Sequence, residues 1–204
     1  MTAQSATASS SSDPRRTPTL MTERLVLRPW RVDDDAETRA LFRYASDPAV
    51  GPSAAWPPHT SETQSAEIIR TVLSAPQTFA VVLKPGDEAV GSIGLKPLSG
   101  LTEADDTERR DAMEIGYWIG TPFWGRGLIT EAAREVLRHG FEDLGLAAVW
   151  GTHDLTNISS SKVMDKLGLS LIRVHRHAHL ALLGEVYRDE AVRRITAAQW
   201  RGRR

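Results

Sequence analysis

A strand that runs into a helix through a glycine turn limits what this chain can fold into. From Ala112 to Ile119 the residues alternate as in a half-buried strand, and Pro122-Phe123-Trp124-Gly125-Arg126-Gly127 then breaks the run. From Leu128 onward, Leu128, Ala132, Val136, Leu137, Phe141 and Leu144 recur at helical spacing, with Gly145 as the stop. Such a turn gathers free backbone N–H groups at the positive end of a helix dipole, which suits an anion. It reads equally as a tight turn that needs φ > 0. Glu114, inside the otherwise apolar strand, is a candidate proton acceptor one strand-length away.

The rest of the chain extends this unit into one mixed sheet with helices on both faces. Residues 24–28 predict a strand, and Asp33, Asp34 and Asp35 open a helix that Asp47-Pro48 ends. Ser61-Glu62-Thr63-Gln64 has capping-box spacing ahead of Ile68, Ile69, Val72 and Leu73. Residues 78–83 and 89–95 read as a hairpin about Pro85-Gly86-Asp87, and residues 99–111 as a polar, acidic loop. A strand over 147–152, a helix over 158–167 stopped by Gly168, a strand over 171–178 and a last strand within 182–195 complete the order. Hairpins mixed with crossovers imply an α/β (mixed α+β) architecture with a mostly antiparallel mixed sheet.

Composition narrows the chemistry. The 204 residues suit one domain, and 25 Lys+Arg against 26 Asp+Glu leave a formal net charge of −1, which is no nucleic-acid footprint. The absence of cysteine excludes disulfides, thiolate metal sites and cysteine nucleophiles. No run is long enough to span a membrane, and residues 1–19, rich in Ser, Thr and Ala, lack the apolar core of a signal peptide. That segment is expected to be a disordered tail before a domain over 20–204, and the cytoplasm is the expected location. The basic end Trp200-Arg201-Gly202-Arg203-Arg204 reads as solvated.

The glycine turn fits neither common nucleotide cradle: there is no G-x-x-x-x-G-K-[ST], and Thr130 stands where a dinucleotide site has its third glycine. A second motif decides more. Asn157-Ile158-Ser159-Ser160-Ser161-Lys162-Val163-Met164-Asp165-Lys166-Leu167-Gly168-Leu169 follows a strand and forms a short helix. Taken with Glu114-Ile115-Gly116-Tyr117-Trp118 and Trp124-Gly125-Arg126-Gly127-Leu128-Ile129-Thr130-Glu131-Ala132, it resembles the GNAT superfamily of acyl-CoA-dependent N-acyltransferases. Within that superfamily the chain looks like the Rim-type branch, the ribosomal-protein N-terminal acetyltransferases. The resemblance runs over residues 23–200.

The resemblance implies a single GNAT-like domain whose sheet is splayed at the cofactor site, with acetyl-CoA as acyl-donor cosubstrate. Backbone groups of Trp118 and Ile119 would meet the pantetheine amides, as in strand addition. The backbone of Gly125, Arg126, Gly127, Leu128, Ile129 and Thr130 would hold the diphosphate, with the Arg126 side chain as a countercharge and Trp124 as the first position of the cofactor signature. Asn157 would hydrogen-bond the pantetheine arm, with Ser160 beside it. Two positions depart from the family pattern. Ile129 puts bulk where a small residue is usual, and Met164 stands where many relatives have a tyrosine acid. Ser160 is then the nearer hydroxyl to the leaving sulfur, and Glu114 the base or an anchor for the amine. Asn157 also reads as a helix cap.

Trp30, Trp56, Tyr117 and Glu114 are candidate acceptor-side residues, with core packing as the rival reading of the aromatics. His175, His177 and His179 share one face of the expected strand, but same-face neighbours diverge, so an exposed or pocket-lining face is preferred to a metal site. Glu103, Asp105, Asp106 and Glu108 could draw a cationic amine, though charge runs are usually solvated. The expected activity is transfer of an acetyl group to a primary amine by direct attack in a ternary complex. The acceptor would be a protein N-terminal amine, with a small amine such as a polyamine or aminoglycoside as the alternative and a silent acyl-CoA-binding module as the rival. No nucleic-acid, membrane or metal partner is expected, and a homodimer is left open.

Overall fold

The computed structural model describes residues 17–203. The strands are β1 (Leu20–Met21), β2 (Leu25–Arg28), β3 (Thr78–Leu83), β4 (Ala89–Lys96), β5 (Ala112–Ile119), β6 (Ala148–Asp154), β7 (Ser170–His179) and β8 (Tyr187–Thr196). The helices are α1 (Asp35–Ala45), α2 (Glu62–Ile68), α3 (Asp106–Arg110), α4 (Leu128–Arg138), α5 (Ile158–Leu167) and α6 (Ala197–Arg201). They build one mixed α/β domain on an eight-stranded sheet in the order β1-β2-β3-β4-β5-β6-β8-β7. Among the described residues β5–β6 is the one parallel pair. It arises because α4 carries the chain across the sheet between those two strands, and a parallel pair requires such a crossover.

Alternation along the strands gives each face its own cover. Leu25, Leu27, Phe79, Val81, Ile93, Leu95 and Ile115 pack against Leu128, Ala132, Val136 and Leu137 of α4 and Met164 and Leu167 of α5. On the opposite face Trp30, Ala80 and Ala89 meet Leu41 and Ala45 of α1 and Ile69 just beyond α2. Local caps set the helix starts. Asp34 caps α1, Ser61 caps α2 and Asn157 caps α5, each with a side-chain oxygen accepting from first-turn N–H groups.

Three expectations change. Residues 99–111 are not one loop, because Asp105 accepts from Thr107 N and Glu108 N and so nucleates α3. Both α2 and α4 run on into a π-helical turn, over Ile69–Leu73 and His139–Asp143, and Val72 of the expected apolar stripe is exposed. The chain is placed earlier than residue 20: the Thr17 hydroxyl accepts from Gln77 N at 2.9 Å, and Leu20–Met21 adds a strand that the sequence did not suggest. Residues 1–16, the bulk of the expected tail, lie outside the described residues.

At Gly91 strand β4 leaves no room for a side chain against β5. A Cβ there would lie 2.5 Å from the Trp118 carbonyl oxygen and 2.9 Å from Ile119 Cα. Gly91→Ala must therefore push the end of β5 away from β4. A destabilisation of about 1–3 kcal/mol is expected, the usual size for overpacking. Urea unfolding of the variant checks this, and an unchanged midpoint would show that the strands yield freely.

Candidate active site

The parallel pairing of β5 and β6 runs only from Ala112 opposite Ala148 to Ile115 opposite Gly151. Beyond that, β5 stays with β4 out to Ile119, and β6 stays with β8 out to Asp154. The strands part like a fork, and a cavity of about 630 Å³ fills the gap. Its walls are Tyr117, Trp118 and Ile119 on β5, the glycine turn and first turn of α4, Asp154 on β6, and the first turns of α5. Facing strand edges lacking a neighbour leave backbone groups free for an extended ligand.

The glycine turn is built as an anion site. Gly125 and Gly127 have φ of +73° and +74°, which glycine adopts without strain. Gly127 is the N-cap of α4 and so supplies no side chain to cap the first-turn N–H groups. Positive charge gathers nearby. Arg24 donates to the Arg126 carbonyl at 3.1 Å while pairing with Glu131 at 2.6 Å, and Lys162 and Lys166, one turn apart on α5, line the cavity. The Arg126 guanidinium instead sits 5.7 Å from the Phe123 ring centroid, outside the cavity wall. Ile129 borders the cavity but is only 8% exposed and packs into the core, so its bulk is absorbed there. Leu128 and Thr130 line the wall beside it, and the Trp124 indole reaches back to the Ile119 carbonyl at 2.8 Å.

Across the fork, Asn157 is the cap of α5, its Oδ1 accepting from Ser160 N at 3.0 Å, and both residues line the cavity. Met164 is buried over Gly151, where a Cβ would meet its Cε at 2.8 Å, so nothing from that position reaches the cavity as a proton donor. The Tyr117 hydroxyl points at the Ser160 carbonyl from 3.5 Å, and burial pushes the phenol up to about 12.

On the other face of the sheet Glu114 is 2% exposed. Its Oε2 accepts from Ser99 N at 3.0 Å, and its Oε1 accepts from the Thr152 hydroxyl at 2.9 Å with Lys96 Nζ at 3.5 Å. It stands behind the cavity wall rather than in it. Trp118 is in the wall, and Trp56 packs edge-on against it at 5.8 Å from a position outside. Trp30 is buried under α1 and α2, donating to Ser92 Oγ at 3.2 Å, and belongs to the core.

Sequence reasoning missed Asp154, Arg188 and Glu190. Asp154 and Arg188 line the cavity. Arg188 gives Nε to Glu190 at 2.6 Å and Nη1 to the Pro52 carbonyl at 3.0 Å, with Asp154 at 3.5 Å. Burial pushes the Glu190 carboxyl above its ordinary range, and the Arg188 contact opposes that. The available signal was the charged run Arg188-Asp189-Glu190 within an expected strand. Only the sheet order tells which face that is.

The histidine face does not form. A register shift between His175 and Ala178 sets His175 opposite Glu190 and His179 opposite Tyr187, which puts the two histidines on opposite faces. His177 and His179 stack on Tyr187 at 4.6 and 4.9 Å, and His175 lies 3.3 Å from Glu103. The acidic segment is spent on pairing: Glu103 bonds Arg173, and Glu108 bonds Arg194 at 2.6 Å. At the basic end residues 201–203 are exposed, as expected, while Trp200 stacks on Phe141 at 5.7 Å.

Comparison with known proteins agrees with this geometry. Residues 24–170 match the acetyltransferase (GNAT) domain family. The uncharacterized N-acetyltransferase p20 of Bacillus licheniformis is 30% identical over 184 residues, covering 86% of this chain and 97% of the relative. The FsC-acetyl coenzyme A-N(2)-transacetylase of Aspergillus fumigatus is 30% identical over 187 residues, covering 90% and 78%. The crystal structure of a GNAT-family acetyltransferase from Bacillus anthracis superposes with a TM-score of 0.74 at 23% identity, covering 89% of this chain and 99% of that one.

The turn makes a direct prediction. Gly127→Asp places a carboxylate on the α4 N-terminus, where it competes with any phosphate for the same N–H groups. Coenzyme A affinity by titration calorimetry should fall at least tenfold, about 1.4 kcal/mol, with the fold retained. Undiminished affinity would remove the anion site from this turn.

Proposed function

Because the chain belongs to the GNAT acetyltransferase family, acyltransferases that use acetyl-CoA, we propose that it acetylates a primary amine by direct attack in a ternary complex. The observation that carries the reading is the fork itself. It joins an uncapped helix N-terminus at one end to a carboxylate-bearing sheet face at the other. Acetyl-CoA supplies an activated thioester. The α4 N-terminus and the glycine turn bind its diphosphate, Lys162 and Lys166 add countercharge, and the open edge of β5 with Asn157 orients the amide arm. A backbone N–H of β5 polarises the thioester carbonyl.

The acceptor in this reading is the N-terminal amine of a peptide, in line with the Rim-type motifs. Asp154 in the cavity wall, with Glu190 behind Arg188, favours a second reading in which a small polycation docks there. A thiol-release panel of N-terminal peptides, polyamines and aminoglycosides, corrected for hydrolysis, separates the two. Release with none of them would leave an acyl-CoA-binding module instead.

Glu114 takes the proton of the attacking amine in this scheme, directly or through water. The Thr152 hydroxyl, bonded to Glu114 Oε1 and two residues before Asp154 on the same face of β6, offers a step on the way. Glu114→Gln keeps the shape and removes the proton affinity. Turnover should fall by roughly two to four powers of ten while coenzyme A affinity holds. The deficit should shrink as pH approaches the amine's own pKa. A pH–rate profile parallel to wild type, with lowered stability, would make Glu114 a structural carboxylate holding Ser99 and Thr152.

A further inference from the structure

We infer that Tyr117 is the hydrogen-bond donor to the departing sulfur, its hydroxyl presented from β5 into the fork to stabilise the thiolate of coenzyme A. The inference rests on the acetyltransferase reading above and adds to it a residue that acts on the leaving group.

Position comes first. Tyr117 lines the cavity, and on its face of β5 it is flanked by Ile115 and Ile119, both buried in the core beneath α4. An extended arm anchored by its phosphates at the glycine turn and laid along β5 passes Ile119 first. It reaches Tyr117 next, before the strands close at Ile115 and Gly151. The reactive end of such an arm therefore lies near the phenol.

The second observation is an unmet donor. The acceptor for the Tyr117 hydroxyl among the described residues is the Ser160 carbonyl at 3.5 Å, well beyond the roughly 2.5–3.0 Å of an O–H···O bond. That carbonyl also lies inside α5, where helix geometry directs it to the amide four residues on. The Ser160 side chain also lies against the phenol and lowers its pKa, as a donor to its oxygen does, so the phenol's own proton still lacks a good acceptor and is poised for one brought by a ligand.

Its acidity fixes the kind of help it gives. Burial pushes the phenol up to about 12, with Ser160 and the Arg193 charge pulling the other way. A thiol has an ordinary pKa of about 8.5, so the proton stays on the phenol oxygen. In the step, the amine lone pair forms the N–C bond, the C–S bond breaks and its electron pair goes to sulfur. The amine proton leaves on the acceptor side, and the thiolate later takes a proton from water. Tyr117 holds the sulfur through a hydrogen bond and ends the step as it began.

The test needs no acceptor amine. Coenzyme A is bound to the protein at saturation, and its thiol is titrated by the ultraviolet absorbance of the thiolate. With wild-type protein the bound thiol should titrate at least one pH unit below free coenzyme A. Tyr117→Phe should raise it by about one unit at nearly unchanged coenzyme A affinity. Lys162 and Lys166 also favour a thiolate, so the readout is the difference between variant and wild type rather than the absolute value. Equal thiol pKa values in the two proteins would overturn the inference, as would a shift lost in Ser160→Ala but kept in Tyr117→Phe. Failure of wild-type protein to bind coenzyme A would sink the acetyltransferase reading itself, a distinguishable result.

Discussion

Four residue pairs of parallel sheet hold the site together. β5 and β6 pair from Ala112 and Ala148 to Ile115 and Gly151, and each then follows a different neighbour. A sheet twists continuously, so two half-sheets joined over so short a seam can separate at its end. The seam closes tightly where it stops: Gly151 leaves room for Met164, and a Cβ there would also sit 3.4 Å from Ile115. Bulk at that point would pry the fork open from its apex, whereas glycine lets α5 lie down on β6. The cavity is thus a consequence of pairing that ends early.

The fork is useful only if α4 aims at it, and its burial sees to that. One face of α4 packs into the main core through Leu128, Ala132, Val136 and Leu137. Beyond its end, buried His139 bridges Asp143 and Gln77, both at 2.8 Å, tying the helix exit to the segment before β3. At the entry Glu131 is held by Thr22 at 2.6 Å and by Arg24 at 2.6 Å. With both ends anchored, the first-turn N–H groups cannot swing away from a ligand. The positive φ at Gly125 and Gly127 then brings the backbone around without a side chain in the path.

Much of this was legible in the sequence, for identifiable reasons. Strand β5 and helix α5 follow their expected bounds because period-2 alternation and a cap-to-glycine frame are local signals. Gly125, Gly127, Asn157 and Ser160, singled out by their motifs, all line the cavity. What failed depended on distant partners. Trp30 reads as a pocket aromatic until Ser92, 62 residues on, takes its indole N–H. The shared histidine face was lost to a bulge, which no periodicity predicts. Arg188 and Asp154 meet at the cavity because β8 inserts between β6 and β7, an order that sequence spacing does not contain.

The distribution of charge ties these parts to a direction of travel. The formal net charge of −1 suggests a bland molecule, yet the fork is strongly polarised. Arg24, Lys162 and Lys166 cluster near the uncapped α4 terminus. Glu114, Asp154 and Glu190 share the opposite face of the sheet, since Glu114 pairs with Trp150 and Asp154 with Glu190. Arg188 neutralises part of that acidity, with Nε 2.6 Å from Glu190 and Nη1 3.5 Å from Asp154. In the wall of the cleft itself Lys162, Lys166 and Arg188 outnumber Asp154, so the field within it suits the anionic donor of the proposed reaction.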